Sequence, residues 1–202
     1  MRARSCWILL VLAAFLAVTL TGCGKKGPRA SGDVEFSAVM TDVEKGVPAE
    51  YAVSFTRGKQ RISLLKDETG GAVIVRLDKG VVWALMPAMK LFLEMGVKPE
   101  NKSPLVYDPD DILEWEKVGE ETVDGHPAVK EKLTIRNKGD QPKTFYRWFA
   151  TDIGWPVKAE ALDGSWSISY SNIKAGPQDP ALFEPPTGYM KVVRKPVSHM
   201  GR

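Results

Sequence analysis

Cysteine is nearly absent from this chain. Among 202 residues only Cys6 and Cys23 are cysteine, and both precede the body of the protein. Everything after Cys23 therefore lacks a disulfide, a thiolate ligand for zinc and a thiol nucleophile. Histidine is equally scarce. His126 and His199 are too far apart in sequence to make a ligand-spaced pair, so they read as solvated turn residues and no metal is expected. A surplus of charge is missing too. There are 28 basic against 25 acidic residues, and removal of Arg2 and Arg4 with a leader leaves 26 against 25. That balance argues against a nucleic-acid surface. No serine is framed as G-x-S-x-G, and no P-loop or dinucleotide glycine pattern occurs. No enzyme activity and no cofactor are expected. After residue 20 there is no second apolar run of membrane-spanning length.

The N-terminus is where the information is dense. Arg2 and Arg4 give it positive charge, and Trp7 to Leu20 follows as an apolar run broken only by Thr19. The run is short for a bilayer span and has the flank of a secretory signal. It ends in Leu20-Thr21-Gly22-Cys23, which resembles the lipobox of bacterial lipoproteins. The resemblance implies cleavage before Cys23 and acylation of its thiol, so residues 1–22 are a signal peptide and Cys23 is the lipid attachment site. More than one acyl chain anchors a protein stably. Residues 23–32, small, basic and glycine-rich, read as a flexible tether. Gly24 follows the cysteine where enteric bacteria place Asp for inner-membrane retention. The expected location is therefore the cell envelope, on the periplasmic face of the outer membrane.

From residue 33 to about 193 the dominant period is two. Tyr51, Val53 and Phe55 share one strand face. Tight-turn dipeptides such as Asp124-Gly125 and Asp163-Gly164 separate short apolar runs. About ten strands at a spacing of roughly 8–12 residues predict an antiparallel meander, a barrel or a sandwich. Two helical turns are predicted. One starts at Asp108-Pro109 and runs to Lys117, with Asp110 and Asp111 as first-turn acids in place of a calcium cluster. The other is a single turn from Asp179-Pro180 through Phe183. Glu114, Glu116, Glu120 and Glu121 read as a solvated acidic face. Residues 194–202 form a tail.

Several segments, in order, resemble the LolA/LolB-like superfamily of outer-membrane lipoprotein-sorting carriers, in an uncharacterised branch. They are Val82-Trp83-Ala84-Leu85-Met86-Pro87, Val118 to Gly125, Trp148 with Trp155-Pro156-Val157-Lys158, and Phe183-Glu184-Pro185-Pro186-Thr187-Gly188-Tyr189. The resemblance implies a mainly β fold: a curved antiparallel sheet, an unclosed half-barrel, with one or two short covering helices. It also implies an apolar concave side that holds acyl chains. The carriers proper close a lid with an arginine, which the sequence alone does not assign here.

Five of the six tryptophans lie after the leader. Broad aromatic and flexible methionine side chains suit variable apolar ligands. Trp83, Met86, Met89, Trp115 and Trp148 are the candidate groove residues, with the 108–117 helix near the opening. The expected function is binding of a lipid or acyl-type ligand by a membrane-tethered periplasmic lipoprotein, in envelope lipid or lipoprotein transport. The alternative is a protein-interaction or envelope-stress sensing module of the same fold, with another envelope protein as partner. For the anchor, Cys23→Ser should move the protein from washed membranes to the soluble fraction and leave the leader uncleaved by the lipoprotein signal peptidase. Immunoblotting of the two fractions measures both.

Overall fold

Tight turns with left-handed residues convert the alternating pattern into hairpins. Asp124 and Gly125 both have positive φ, 50° and 83°, the pairing that lets a two-residue turn follow the natural twist of its strands. The computed structural model describes residues 27, 30, 33–66, 70–98, 103, 105–136 and 141–192. The signal segment, Cys23 and the tail lie outside the described residues.

Twelve strands form one sheet. They are β1 (Phe36–Glu44), β2 (Val47–Thr56), β3 (Lys59–Leu64), β4 (Ala72–Arg76), β5 (Val81–Met86) and β6 (Leu91–Gly96), then β7 (Ile112–Val123), β8 (His126–Ile135), β9 (Lys143–Ala150), β10 (Trp155–Ala161), β11 (Trp166–Ala175) and β12 (Met190–Val192). The order across the sheet is β12-β6-β5-β4-β3-β2-β1-β11-β10-β9-β8-β7. Two meanders, β1–β6 and β7–β11, are thus joined where β1 pairs antiparallel with β11. The outer strands β7 and β12 do not pair with each other, so the sheet is an unclosed half-barrel. Among the described residues the single parallel pairing is β12 with β6.

The sheet curls toward one face. Phe55 on β2 and Trp155 on β10 are three strand spacings apart, about 14 Å in a flat sheet. Their ring centroids are 5.5 Å apart. Phe145 on β9 and Trp166 on β11 close to 5.7 Å in the same way. The concave side is therefore the side bearing Phe36, Val53, Phe55, Phe145 and Tyr170, which share one buried cluster.

One expectation is corrected. The segment predicted as a helix, Asp108 to Lys117, holds a turn closed by Asp111 N–H to Asp108 O at 3.0 Å, followed by strand β7. The capping residues were present, but fewer than about 12 residues of helix are marginal without packing. The ladder to β8, with Trp115 opposite Leu133, satisfies the same backbone instead. The second expected turn exists as a 3-10 turn, Pro180–Phe183, where the Asp179 carboxylate accepts from the Ala181 N–H.

That turn begins a strap across the convex face. Phe183, fully buried, packs on Ala72, Ile74, Trp83 and Leu85. Arg76 donates to the Phe183 carbonyl at 3.1 Å, to Asp78 at 2.7 and 2.6 Å, and to Glu184. Arg61 donates to the Leu182 carbonyl at 3.1 Å. The Arg76 hydrogen bond holds the Asp78 carboxyl below its usual range. Burial would raise the Glu184 carboxyl, but the bonds from Lys79 and Arg76 outweigh it and hold it low as well. Lowered folded values mean a contribution that is complete above the ordinary carboxylate range and is lost as pH falls through the folded values. Amide exchange, corrected for its intrinsic pH dependence, should show Glu184 losing protection between pH 7 and pH 3 while Tyr170 keeps it.

Candidate functional site

On β3 to β6 the concave face continues as an apolar shelf. The registers align Val53, Ile62, Val73, Ala84 and Leu93 in one row across β2 to β6. Met86 faces Leu91 and Val82 faces Met95 beside it. The shelf is open to solvent: Leu64 is 41% exposed, Val73 39% and Met95 42%. The reverse face of the same strands is covered by the strap. Monomeric proteins rarely leave a contiguous apolar row uncovered unless something binds there.

Toward β1, β11 and β10 the shelf runs into a closed aromatic cluster. Phe36 and Phe55 stack at 4.8 Å. Tyr170 lies 6.0 and 5.9 Å from these two rings, and Trp155 lies 5.9 and 5.5 Å from them. Leu105, from the irregular connection between β6 and β7, is fully buried in this core. Tyr107 of the same connection packs on Phe145 at 5.5 Å, and burial pushes its hydroxyl up to about 12 despite nearby Arg147.

An ion pair lies inside this apolar face. Glu131 on β8 and Arg147 on β9 are opposite in register and both buried. Arg147 donates through Nε at 2.9 Å to Glu131 Oε2, which also lies 2.8 Å from Nη2. Trp115 Nε1 donates to Glu131 Oε1 at 2.9 Å. Arg147 Nη1 reaches the carbonyl of Leu105 at 3.5 Å. A buried charge is tolerated only when paired and hydrogen-bonded. Here the pairing also ties the covering connection to the sheet. Gly27 lies against the Trp115 indole, where a Cβ would fall 1.9 Å from Nε1, so this residue of the tether touches the domain.

The five candidate side chains do not share one place. Trp115 belongs to the ion-pair cluster. Met86 is on the shelf. Met89 sits in the exposed Pro87–Met89 turn. Trp83 is on the convex face, under the strap, and donates to Glu94 at 3.0 Å. Trp148 faces away from Phe145 and Arg147, with Lys130 and Lys158 at 4.7 and 4.3 Å from its ring centroid. Its Nε1 donates to Glu121 at 2.7 Å, the main reason that the Glu121 carboxyl is held low. Alternation on β9 assigns the two faces of a strand but not which one turns inward. Glu131 and Arg147 were missed as a buried pair because a charge within an alternating strand reads as solvated. Their signal was Glu131 two residues before Leu133 on the same face.

The acidic residues of β7 are separately engaged. Glu120 pairs with Lys117 at 2.6 Å, and Glu114 accepts from Thr134 at 3.2 Å. His126 Nδ1 meets Asp152 Oδ2 at 2.8 Å at a hairpin end. Among the described residues no cluster of three His, Cys, Asp or Glu is placed to hold a metal.

No protein-family model and no curated protein matches the chain. Solved structures match in fold. MucB does so with a TM-score of 0.56 at 17% identity, over 78% of this chain and 59% of that one. The MucA/MucB complex from Pseudomonas aeruginosa gives 0.51 at 18%, over 74% and 55%. An uncharacterized conserved protein from Thermus thermophilus gives 0.52 at 14%, over 79% and 90%. This chain thus spans under two thirds of the MucB chains. The fold is the unclosed antiparallel half-barrel that the sequence resemblance implied.

Glu131→Leu leaves the Arg147 charge buried without its partner and should lower unfolding stability by about 3–5 kcal/mol. Adding Arg147→Met should restore most of that loss. Urea denaturation of the single and double variants measures the difference.

Proposed function

We propose that this chain is a lipid-anchored envelope protein that binds a lipid or acyl-type group along its concave face. The carrying observation is the row Ile62, Val73, Ala84 and Leu93, an apolar surface left open beside a buried core of the same face. Burying apolar surface is worth about 25 cal/mol per Å², so an acyl chain laid on this row gains what solvent denies it. Cys23 carries the anchor, residues 23–32 are the tether, and residues 33–193 are the binding domain. The outer membrane, on its periplasmic side, is the favoured location.

The core end of the face is filled by its own aromatics and by Leu105, which makes this a closed arrangement. Arg147, reaching the Leu105 carbonyl, is the residue suited to the role that the carriers give to their lid arginine. Ligand entry beyond the shelf requires that Leu105 and Tyr107 move off the core. Binding, not catalysis, is the role these groups fit.

A second reading is supported by one of the fold neighbours, a complex of MucB with MucA. In that reading the open shelf receives a segment of another envelope protein, and the chain senses or scaffolds.

The test uses the chain carrying Cys23→Ser, freed of co-purified lipid, and a fluorescent fatty-acyl probe. Saturable uptake is expected. Val73→Glu should weaken it at least about tenfold, the order expected for setting a charge in an apolar contact, with little change in melting because Val73 is already part-exposed. No uptake by the parent chain would move the assignment to the interaction module.

A further inference from the structure

Two buried hydrogen-bond donors on this molecule have no partner among the described residues: Trp155 Nε1 and Tyr170 Oη. Such groups are rare, because each leaves its desolvation uncompensated. Both belong to one place. The Trp155 and Tyr170 rings rest on the same Phe36–Phe55 stack, within 6.0 Å. Tyr170 is 1% exposed, and burial pushes its hydroxyl far above the ordinary range. It therefore stays protonated and remains a donor. Ser103, on the covering connection, is near this hydroxyl, but its Oγ accepts from the Leu105 N–H at 3.5 Å and makes no regular bond to Tyr170.

The cluster lies where the apolar shelf ends. Phe55 is opposite Gln60, which is opposite Val75, then Val82 and Met95, in the row adjoining the open one. This row connects the shelf to the stack on which the Trp155 and Tyr170 rings rest. The buried cation on this face, Arg147, is already neutralised by Glu131. An anion brought here would be buried without an unengaged cation to pair with, which is strongly unfavourable.

We infer that the aromatic cluster of Phe36, Phe55, Trp155 and Tyr170 is a polar subsite for a neutral carbonyl acceptor, the ester group of an acylated ligand whose chain lies on the shelf. The inference rests on the acyl-binding reading above and adds the ligand's polar end and charge. Trp155 N–H and Tyr170 O–H donate to carbonyl oxygen; the chain occupies the Ile62–Leu93 row. Displacing Leu105, which is buried in the same core, admits the ester.

The experiment measures displacement of a bound apolar dye, N-phenyl-1-naphthylamine, from the Cys23→Ser chain. The competitors are methyl palmitate, palmitate and hexadecane. Methyl palmitate should compete best. Tyr170→Phe, and separately Trp155→Phe, should each weaken methyl palmitate by about 3–10-fold, the worth of one neutral hydrogen bond, and leave hexadecane unchanged. Tyr170→Phe should melt no lower than the parent, since it removes a donor that bonds nothing. Equal competition by ester and alkane, or a preference for palmitate, overturns the subsite while leaving the acyl groove intact. A melting loss shared by Tyr170→Phe and Ser103→Ala with ester binding unchanged also overturns it, because the hydroxyl then serves an internal bond. Failure of the dye itself to bind defeats the groove reading and the subsite together.

Discussion

A single sheet has two faces and no second layer, and the architecture here answers that constraint. One answer is curvature. By bending until Phe55 on β2 meets Trp155 on β10, the sheet buries its own concave side and needs no covering helix. The pairing of β1 with both β2 and β11 makes this bend possible, because it brings the first and last antiparallel strands to the centre. The other answer is the strap. The chain after β11 crosses the convex face, sets Phe183 on Trp83 and Leu85, and ends as the parallel strand β12. Curvature and strap each bury one face of a different half.

Among the described residues, what neither device covers is the outer part of the concave side of β3 to β6, beyond the buried Gln60, Val75 and Val82. Those strands have their backs packed and their fronts open along the row from Ile62 to Leu93. A front composed of Ile62, Val73, Ala84, Leu93 and Met86 is poorly suited to water and well suited to a flexible apolar chain. The aromatic cluster and the ion pair then define the inner boundary. Glu131, Arg147 and Trp115 satisfy one another, and Arg147 also holds the Leu105 carbonyl. Trp155 and Tyr170 are the polar atoms left over.

The same features separate the roles of the tryptophans, which composition alone treats as one set. Trp83 and Trp148 stabilise the convex side through Glu94 and Glu121 and through the cations stacked on them. Trp115 orients a buried carboxylate. Trp155 keeps a free indole N–H beside the Phe36–Phe55 stack. An indole buries a large apolar area but satisfies its N–H only where an acceptor is near. That difference, not burial, separates Trp155 from Trp83, Trp115 and Trp148.

The sequence by itself determined the strands, the turns and the class of fold. Alternation over Tyr51 to Phe55 and glycines such as Gly125 act within a few residues, so they are legible without the rest of the chain. It also carries Leu20-Thr21-Gly22-Cys23, whose resemblance to a lipobox is a local signal. The tertiary structure decided the rest. The Asp108–Lys117 stretch has capping residues for a helix, but its partner β8 lies farther along the chain, and cross-strand pairing outweighs a short helix. Which face of β9 turns inward depends on the sign of the sheet's curvature, a property of twelve strands together. Glu131 and Arg147 look like solvated charges until the curl desolvates both at once. Trp155 and Tyr170 become unpartnered donors only because strands distant in sequence close over the same two phenylalanines.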